Sequence, residues 1–290
     1  MAANPDRIRS DAASREVTRI VASHFTPVTP TLLVRRALPD AGLRNIGPWI
    51  FLDHFGPMQV GKGDRGTPPH PHAGIETVTY LLEGGMHHRD SLGHEGAVGA
   101  HGAQWMTAGR GIVHAERPAA GALHGLQMWA KLPRAIQLTE PAYRNLGAEE
   151  LPVFRSSDAQ VRVIGGELMG HNSPAPARWP LLLAHVSFTS RGRVRLEVPA
   201  GFDLAAYVVL GQARFGEVEA DAGKLVKFAQ DGTHLEVAND LEEHADVILL
   251  GGAPLDEPMV FRGPFVMDSA TALLAAEQAH QTGRMGKLAE

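Results

Sequence analysis

The second half of the chain alternates short apolar runs with polar turns. From Val161 onward seven runs of five to eight residues follow one another, and they read VRVIGGE, LLLAHVSF, VRLEVP, LAAYVVL, LVKFA, THLEV and DVILL. Many short strands at regular spacing are typical of an antiparallel sandwich or barrel. This half is therefore predicted to be an all-β domain.

The first half has a similar pattern, with its runs further apart. Alternating or apolar stretches that favour strands are found at residues 16–22, 32–34, 49–52, 75–80 and 123–132. Glycine and proline cluster between them, above all in residues 61–69, and this composition indicates a loop. A second all-β domain is predicted here.

Changes in composition divide the chain into four parts. They are a polar and mobile N-terminal segment (1–14), a first barrel that carries the candidate site (15–135), a connecting segment (136–152) and a second barrel (153–290). Near the end of the chain, Asp268 or Ser269 can cap a final helix. That helix is expected to pack back on a barrel.

Composition and charge exclude several classes of function. The 290 residues are 44% hydrophobic and carry a formal net charge of −5, which argues against non-specific nucleic-acid binding. The absence of cysteine excludes disulfides, thiolate metal sites and a cysteine nucleophile. The charged N-terminus does not resemble a secretory signal, and no apolar run approaches the ~20 residues of a membrane span. The cytoplasm is the expected location.

Two clusters of histidine and glutamate stand out in the first half. Side chains alternate along a strand, so His70 and His72 point the same way, and Glu76 shares their parity. His114 and Glu116 share one face of a later strand. Alone, each pair is more typical of the polar face of a strand. Together, on strands that pair inside one barrel, they would form a metal site.

The order of these clusters resembles the two-part motif of the cupin barrels. Longer segments are similar to the pirin family, a two-cupin branch: GPWIFLDHFGP, HPHAGIETVTYLLEGGMHHRDSLG, QWMTAGRGIVHAERP, LHGLQMWAKLP and, near the end, GGAPL and GPFVM. The resemblance extends from about Arg15 onward. It implies two antiparallel jelly-roll (cupin) β-barrels in tandem with a C-terminal helix, and a second barrel without metal ligands.

The resemblance also implies a ligand set and a metal. The ligands carried over are His70, His72, His114 and Glu116, and the implied metal is iron. The ligand types alone suit other divalent metals as well. Glu76 has no ligand role in the pattern, and it is interpreted either as a residue that orients an imidazole or as a solvated or salt-bridged strand residue.

Other histidines are expected outside the ligand set. His54 is interpreted as a hydrogen-bonded structural residue at a strand end. His87 and His88 are adjacent, so at most one faces inward, and solvated strand polarity is the preferred interpretation of both. His101 stands where the family has a Pro-Gly turn and is expected near the mouth of the site. Gly109 and Gly111 are expected to permit a tight turn before His114.

Three functions are compatible with this site. The first is an iron-dependent quercetin (flavonol) 2,3-dioxygenase that uses O₂ and an aromatic substrate, with Glu116 as general base. The second is a metal- and redox-dependent regulator that binds a protein partner without turnover. The third is a structural double barrel that the metal only stabilises. Turnover separates the first from the others, and a redox-dependent partner separates the second from the third.

Overall fold

The computed structural model describes residues 13–29, 32–156 and 158–289. Most of the expected mobile segment, residues 1–14, lies outside the described residues. The strands of the first half are β1 (Val17–Ala22), β2 (His24–Pro27), β3 (Leu33–Leu38), β4 (Trp49–Val60), β5 (Thr67–His72), β6 (Ile75–Glu83), β7 (Gly85–Asp90), β8 (Glu95–Gly99), β9 (Ala103–Thr107), β10 (Ile112–Pro118), β11 (Gly121–Lys131) and β12 (Ala142–Leu146).

The second half continues with short strands and ends in a helix. Its strands are β13 (Val153–Arg155), β14 (Gln160–Gly165), β15 (Glu167–Leu168), β16 (His171–Asn172), β17 (Leu181–Phe188), β18 (Gly192–Glu197), β19 (Asp203–Leu210), β20 (Gln212–Phe215), β21 (Val218–Asp221), β22 (Lys224–Phe228), β23 (His234–Asn239), β24 (Ala245–Gly252), β25 (Val260–Arg262) and β26 (Phe265–Met267). Helix α1 (Ala270–Gln281) follows, and the Ser269 side chain caps it by accepting from the Ala272 amide.

The strands form two similar antiparallel barrels, each made of a seven-stranded and a four-stranded sheet. In the first barrel the orders are β12-β9-β6-β11-β4-β3-β2 and β5-β10-β7-β8. In the second they are β1-β22-β19-β24-β17-β14-β13 and β18-β23-β20-β21. The predicted all-β class, the tandem barrels and the C-terminal helix are confirmed. Along the part of the chain described, no helix is long and apolar enough to cross a membrane.

Two strands join sheets that the predicted boundaries do not anticipate. Strand β1 lies within the predicted first barrel, 15–135, yet it pairs with β22 at the edge of the second barrel. Strand β12 lies within the predicted connecting segment, 136–152, and it pairs with β9 of the first barrel. A local apolar pattern predicts that a strand forms, but the pattern carries no information about which sheet edge the strand will pair with.

The two seven-stranded sheets pack against each other and bury the largest apolar cluster. The cluster contains Leu126 and Met128 of the first barrel together with Ile248 and Leu250 of the second. The Trp49 indole nitrogen donates to the Gly251 carbonyl at 2.8 Å, which links the barrels through a buried hydrogen bond. Each Å² of apolar surface buried here contributes about 25 cal/mol, so this contact stabilises the association of the barrels.

Polar contacts cross this interface in a reciprocal pattern. The His54 Nδ1 of the first barrel lies 3.0 Å from the hydroxyl of Tyr207 of the second. The His185 Nδ1 of the second barrel lies 2.9 Å from the hydroxyl of Tyr80 of the first. The Nε2 of His54 in turn lies 2.7 Å from the Nε2 of His124. His54 is therefore hydrogen-bonded, as predicted, but it lies inside β4 and not at a strand end.

The interface generates a pH prediction for His54. Burial lowers the pKa of His54 to about 3, with a smaller contribution from repulsion by His124 and Arg35. The pKa of an imidazole in the unfolded chain is about 6.5. The unfolded chain binds the proton first, so this residue reduces stability as the pH falls from about 6.5 toward 3. In urea unfolding, His54→Gln should lose less stability than the wild-type protein between about pH 7 and pH 4.

A matched control for this prediction is His87→Gln, which changes an exposed histidine of β7. It should retain the wild-type pH dependence. Equal pH slopes for His54→Gln and the wild-type protein, both free of metal, would contradict the assignment.

Candidate metal centre

The candidate site lies where β5 pairs with β10. In this register His114 stands opposite His70, and His72 stands opposite Ile112. One ring nitrogen from each of His70, His72 and His114 lies within 4.8 Å of the others. Among the residues that the structure describes, these three form the group whose geometry could hold a metal ion.

The sequence of β5 suits its position at a sheet edge. Proline alternates with histidine in Pro69-His70-Pro71-His72, and β5 is the outer strand of the four-stranded sheet. Proline cannot donate to a ladder and is tolerated on edge strands. The alternation therefore keeps both imidazoles on one face, as the spacing predicts.

Two backbone carbonyls orient the imidazoles of β5. The Nδ1 of His70 lies 2.9 Å from the Pro68 carbonyl, and the Nδ1 of His72 lies 3.1 Å from the Pro264 carbonyl. A carbonyl only accepts, so each Nδ1 carries the proton and donates. Both Nε2 atoms are left with a free lone pair for a metal.

The third histidine has the environment of a metal ligand. Both ring nitrogens of His114 are buried, and neither has a hydrogen-bond partner among the residues described. Buried polar groups are nearly always paired, so this imidazole requires an explanation. Burial holds the pKa of His114 well below its usual value and lowers that of His72 to about 3. These two imidazoles are thus neutral, as metal binding requires, and the three-histidine group fits a bound metal.

The fourth expected ligand, Glu116, lies on the same strand beyond a β-bulge. The irregularity falls between His114 and Glu116. The Glu116 Oε1 accepts a hydrogen bond of 2.7 Å from the hydroxyl of Thr79, whose oxygen also lies 2.5 Å from the Gln127 Oε1. Glu116 is not part of the three-histidine group, and its ligation remains a prediction. Thr79 and Gln127 lie within two of the family-like segments, but nothing in those segments predicts that their side chains hydrogen-bond near Glu116.

Glu76 has neither of the expected environments. It is buried, and its carboxylate accepts from the Thr107 hydroxyl at 2.7 Å and from the Arg178 amide at 3.3 Å. No hydrogen bond to a ligand histidine is found in the part of the chain described. The reason is the break at Gly74, which has a φ of +77° and separates β5 from β6, so parity does not carry across. Burial raises the pKa of the Glu76 carboxyl.

Among the other histidines, His88 and His101 differ from expectation. His88 is buried and stacks on Tyr143 with ring centroids 4.0 Å apart, and its ring lies 5.4 Å from that of His114. His87 is exposed, as predicted for the pair. His101 lies near His185, at a ring distance of 6.3 Å, beside the interface between the barrels and not at the mouth of the site.

A cleft of about 1210 Å³ opens beside Glu116. Loop residues 62–66 and the ends of β5, β7, β8 and β10 line it. Its basic side chains are Lys62, Arg65, Arg89 and Arg117, and its acidic ones are Asp64, Glu95 and Glu116. The cleft is large enough for a drug-sized aromatic molecule.

Fold and site together define a double-barrel protein with one three-histidine centre. Two family models match the chain, "Pirin" over residues 31–130 and "Pirin C-terminal cupin domain" over residues 183–286. The chain belongs to the pirin family, and the predicted resemblance is confirmed.

Individual relatives match over nearly the whole chain. Pirin of Homo sapiens is 36% identical over 265 residues, which are 89% of each chain. A pirin-like protein of Solanum lycopersicum is 34% identical over 88% of this chain and 87% of its own. A crystal structure of quercetin 2,3-dioxygenase from Acinetobacter baumannii superposes with a TM-score of 0.88 at 25% identity, covering 96% of this chain and all of that one.

The geometry of the site generates a prediction on metal binding. His114→Ala removes the central imidazole, and we expect it to weaken Fe²⁺ binding by more than about 100-fold. The protein is titrated with Fe²⁺ and separated from unbound metal, and the iron that stays with the protein is then measured. The control His244→Ala changes an exposed histidine that pairs with Asp246 of the second barrel and should bind metal normally. Equal metal affinity of both variants would contradict the assignment.

Proposed function

We propose that this protein is an iron-binding quercetin (flavonol) 2,3-dioxygenase that uses O₂. The observation that carries the proposal is the three-histidine group, in which His72 and His114 are buried and His114 is unpaired among the residues described. Glu116, on the same strand as His114, lines a cleft large enough for an aromatic substrate. The likeness to the Acinetobacter baumannii dioxygenase supports the same function.

The three histidines and Glu116 would hold the iron. When bound, iron supplies coordination positions at which a substrate oxygen and O₂ can meet. Iron accords with the neutral imidazole and carboxylate donors, and these donors suit several other divalent metals too.

In this proposal Glu116 accepts the proton of the flavonol hydroxyl. A general base must lie within hydrogen-bond reach of the proton that it removes. The Thr79 hydroxyl holds one carboxylate oxygen, Oε1, at 2.7 Å and so limits the rotation of the Glu116 side chain. The carboxylate also belongs to the lining of the cleft, where a substrate would approach it.

Basic side chains outnumber acidic ones at the cleft by four to three, and this excess suits a deprotonated substrate. Four basic side chains at the cleft, Lys62, Arg65, Arg89 and Arg117, make no salt bridge within the described ranges, and the loop that carries Lys62 and Arg65 is exposed. Positive charge beside the site attracts a phenolate and favours loss of the hydroxyl proton.

The experiment that tests this function is oxygen uptake by the iron-loaded protein with quercetin. Uptake that His114→Ala abolishes would support an oxygenase at the predicted ligands. An iron-loaded wild-type protein with no uptake would remove the dioxygenase proposal. The alternative, a metal-dependent regulator without turnover, would then predict a protein partner retained in one oxidation state of the iron and not in the other.

The role of Glu116 has its own prediction. Glu116→Gln keeps an oxygen donor but removes the base, so kcat should fall by about 10²–10⁴-fold. Iron content measured on the same sample separates the two roles of this side chain. Unchanged kcat at full iron content would contradict the base, and loss of iron would show that the residue acts as a ligand.

A further inference from the structure

The last elements of the chain lie against the metal-binding strands. We use the term closing segment for residues 260–286, which comprise β25, β26, α1 and the turn after the helix. The Val266 amide donates to the Ala73 carbonyl at 3.2 Å, and Phe265 forms a parallel bridge with Ala73. The Pro264 carbonyl accepts from the His72 ring. One side of the closing segment is thus bonded to the end of β5.

The other end of the closing segment reaches β10. The Ser91 hydroxyl donates to the Met285 carbonyl at 2.6 Å and accepts from the Val113 amide at 3.1 Å. A Cβ atom at Gly111 would meet the side chain of Met285, so Met285 packs directly against the backbone of the turn that precedes β10. The segment therefore contacts both strands that carry the three histidines.

Apolar packing joins these two contacts. One buried cluster consists of Ala73, Val113, Phe265, Met267, Leu273, Ala276 and Met285. Ala73 directly follows His72, and Val113 directly precedes His114. The cluster thus includes a neighbour of a ligand from each strand, packed on the helix and hairpin of the closing segment. Displacing the segment would release both neighbours.

We infer that the closing segment is a positioning element of the metal centre, through which the second half of the chain sets the orientation of His72 and the spacing of β5 and β10. The inference rests on the proposed metal site. Among the described residues of the second half, no cluster of side chains could hold a metal ion. The inference gives this half a role in metal binding by the first barrel.

The physical basis is the preorganisation of the ligands. The Pro264 carbonyl holds the proton of His72 on Nδ1 and the ring in one orientation, so Nε2 faces the site. Removing a hydrogen-bond partner of this kind typically weakens metal binding by about 10–100-fold. A loosened segment would leave the ring free to rotate and the metal less tightly held.

Matched leucine substitutions test this inference in the full-length protein. Leu273→Ala removes a side chain of the buried cluster, whereas Leu274→Ala changes its exposed neighbour on the same helix. Leu249→Ala removes an equally buried leucine from the core of the second barrel, away from the metal strands. The probe is Co²⁺, whose visible absorption spectrum reports its coordination geometry.

We expect Leu273→Ala to bind Co²⁺ about 10-fold more weakly with an altered spectrum, measured well below its unfolding temperature. Leu249→Ala should unfold at a lower temperature with affinity and spectrum unchanged, and Leu274→Ala should resemble the wild-type protein. Leu273→Met, which refills the cluster, should restore the spectrum.

The possible failures are distinguishable. Wild-type spectrum and affinity in folded Leu273→Ala would overturn the positioning role while leaving the metal site intact. If Leu249→Ala also alters the spectrum, any loss of stability disturbs the site. That result would also overturn the positioning role of the closing segment. A wild-type protein that does not bind Co²⁺ would instead count against the metal site itself.

Discussion

The antiparallel pairing of β5 with β10 is the contact on which the candidate site depends. Only in the observed register does His114 face His70, with His72 two pairs further along. A slip of one residue would turn one set of imidazoles to the opposite face of the sheet. The geometry of the site therefore depends on the contacts that keep β5 and β10 in this register. Both strands belong to a small four-stranded sheet, and β5 is its edge strand.

The pairing explains why the histidines could be predicted from the sequence while much of their surroundings could not. Alternation along a strand and the long family motifs identify His70, His72 and His114, because those signals are local. The parity argument for Glu76 failed at Gly74, where the backbone takes a positive φ and one strand ends before the next begins. Period-two reasoning holds only within an unbroken strand.

Contacts between distant parts of the chain were also beyond prediction. The carbonyl that orients His72 belongs to Pro264, 192 positions away, and a backbone carbonyl leaves no trace in the sequence. Tertiary contacts also decide that β1 pairs with β22 of the second barrel. They likewise place His88 against Tyr143 in a buried position. The class of fold was predictable because strand spacing and apolar content are properties of each segment alone.

The two barrels are equivalent in topology but not in chemistry. His54 and His185 occupy corresponding strands, β4 and β17, and each bonds a tyrosine of the opposite barrel. The partner on the other ring nitrogen differs, since His54 meets His124 whereas His185 meets Asp246. This symmetry joins the barrels as one unit through their large sheets. The two strands that carry the three histidines lie in the smaller sheet, and a separate contact links them to the second half. The hairpin and helix at the end of the chain make that contact.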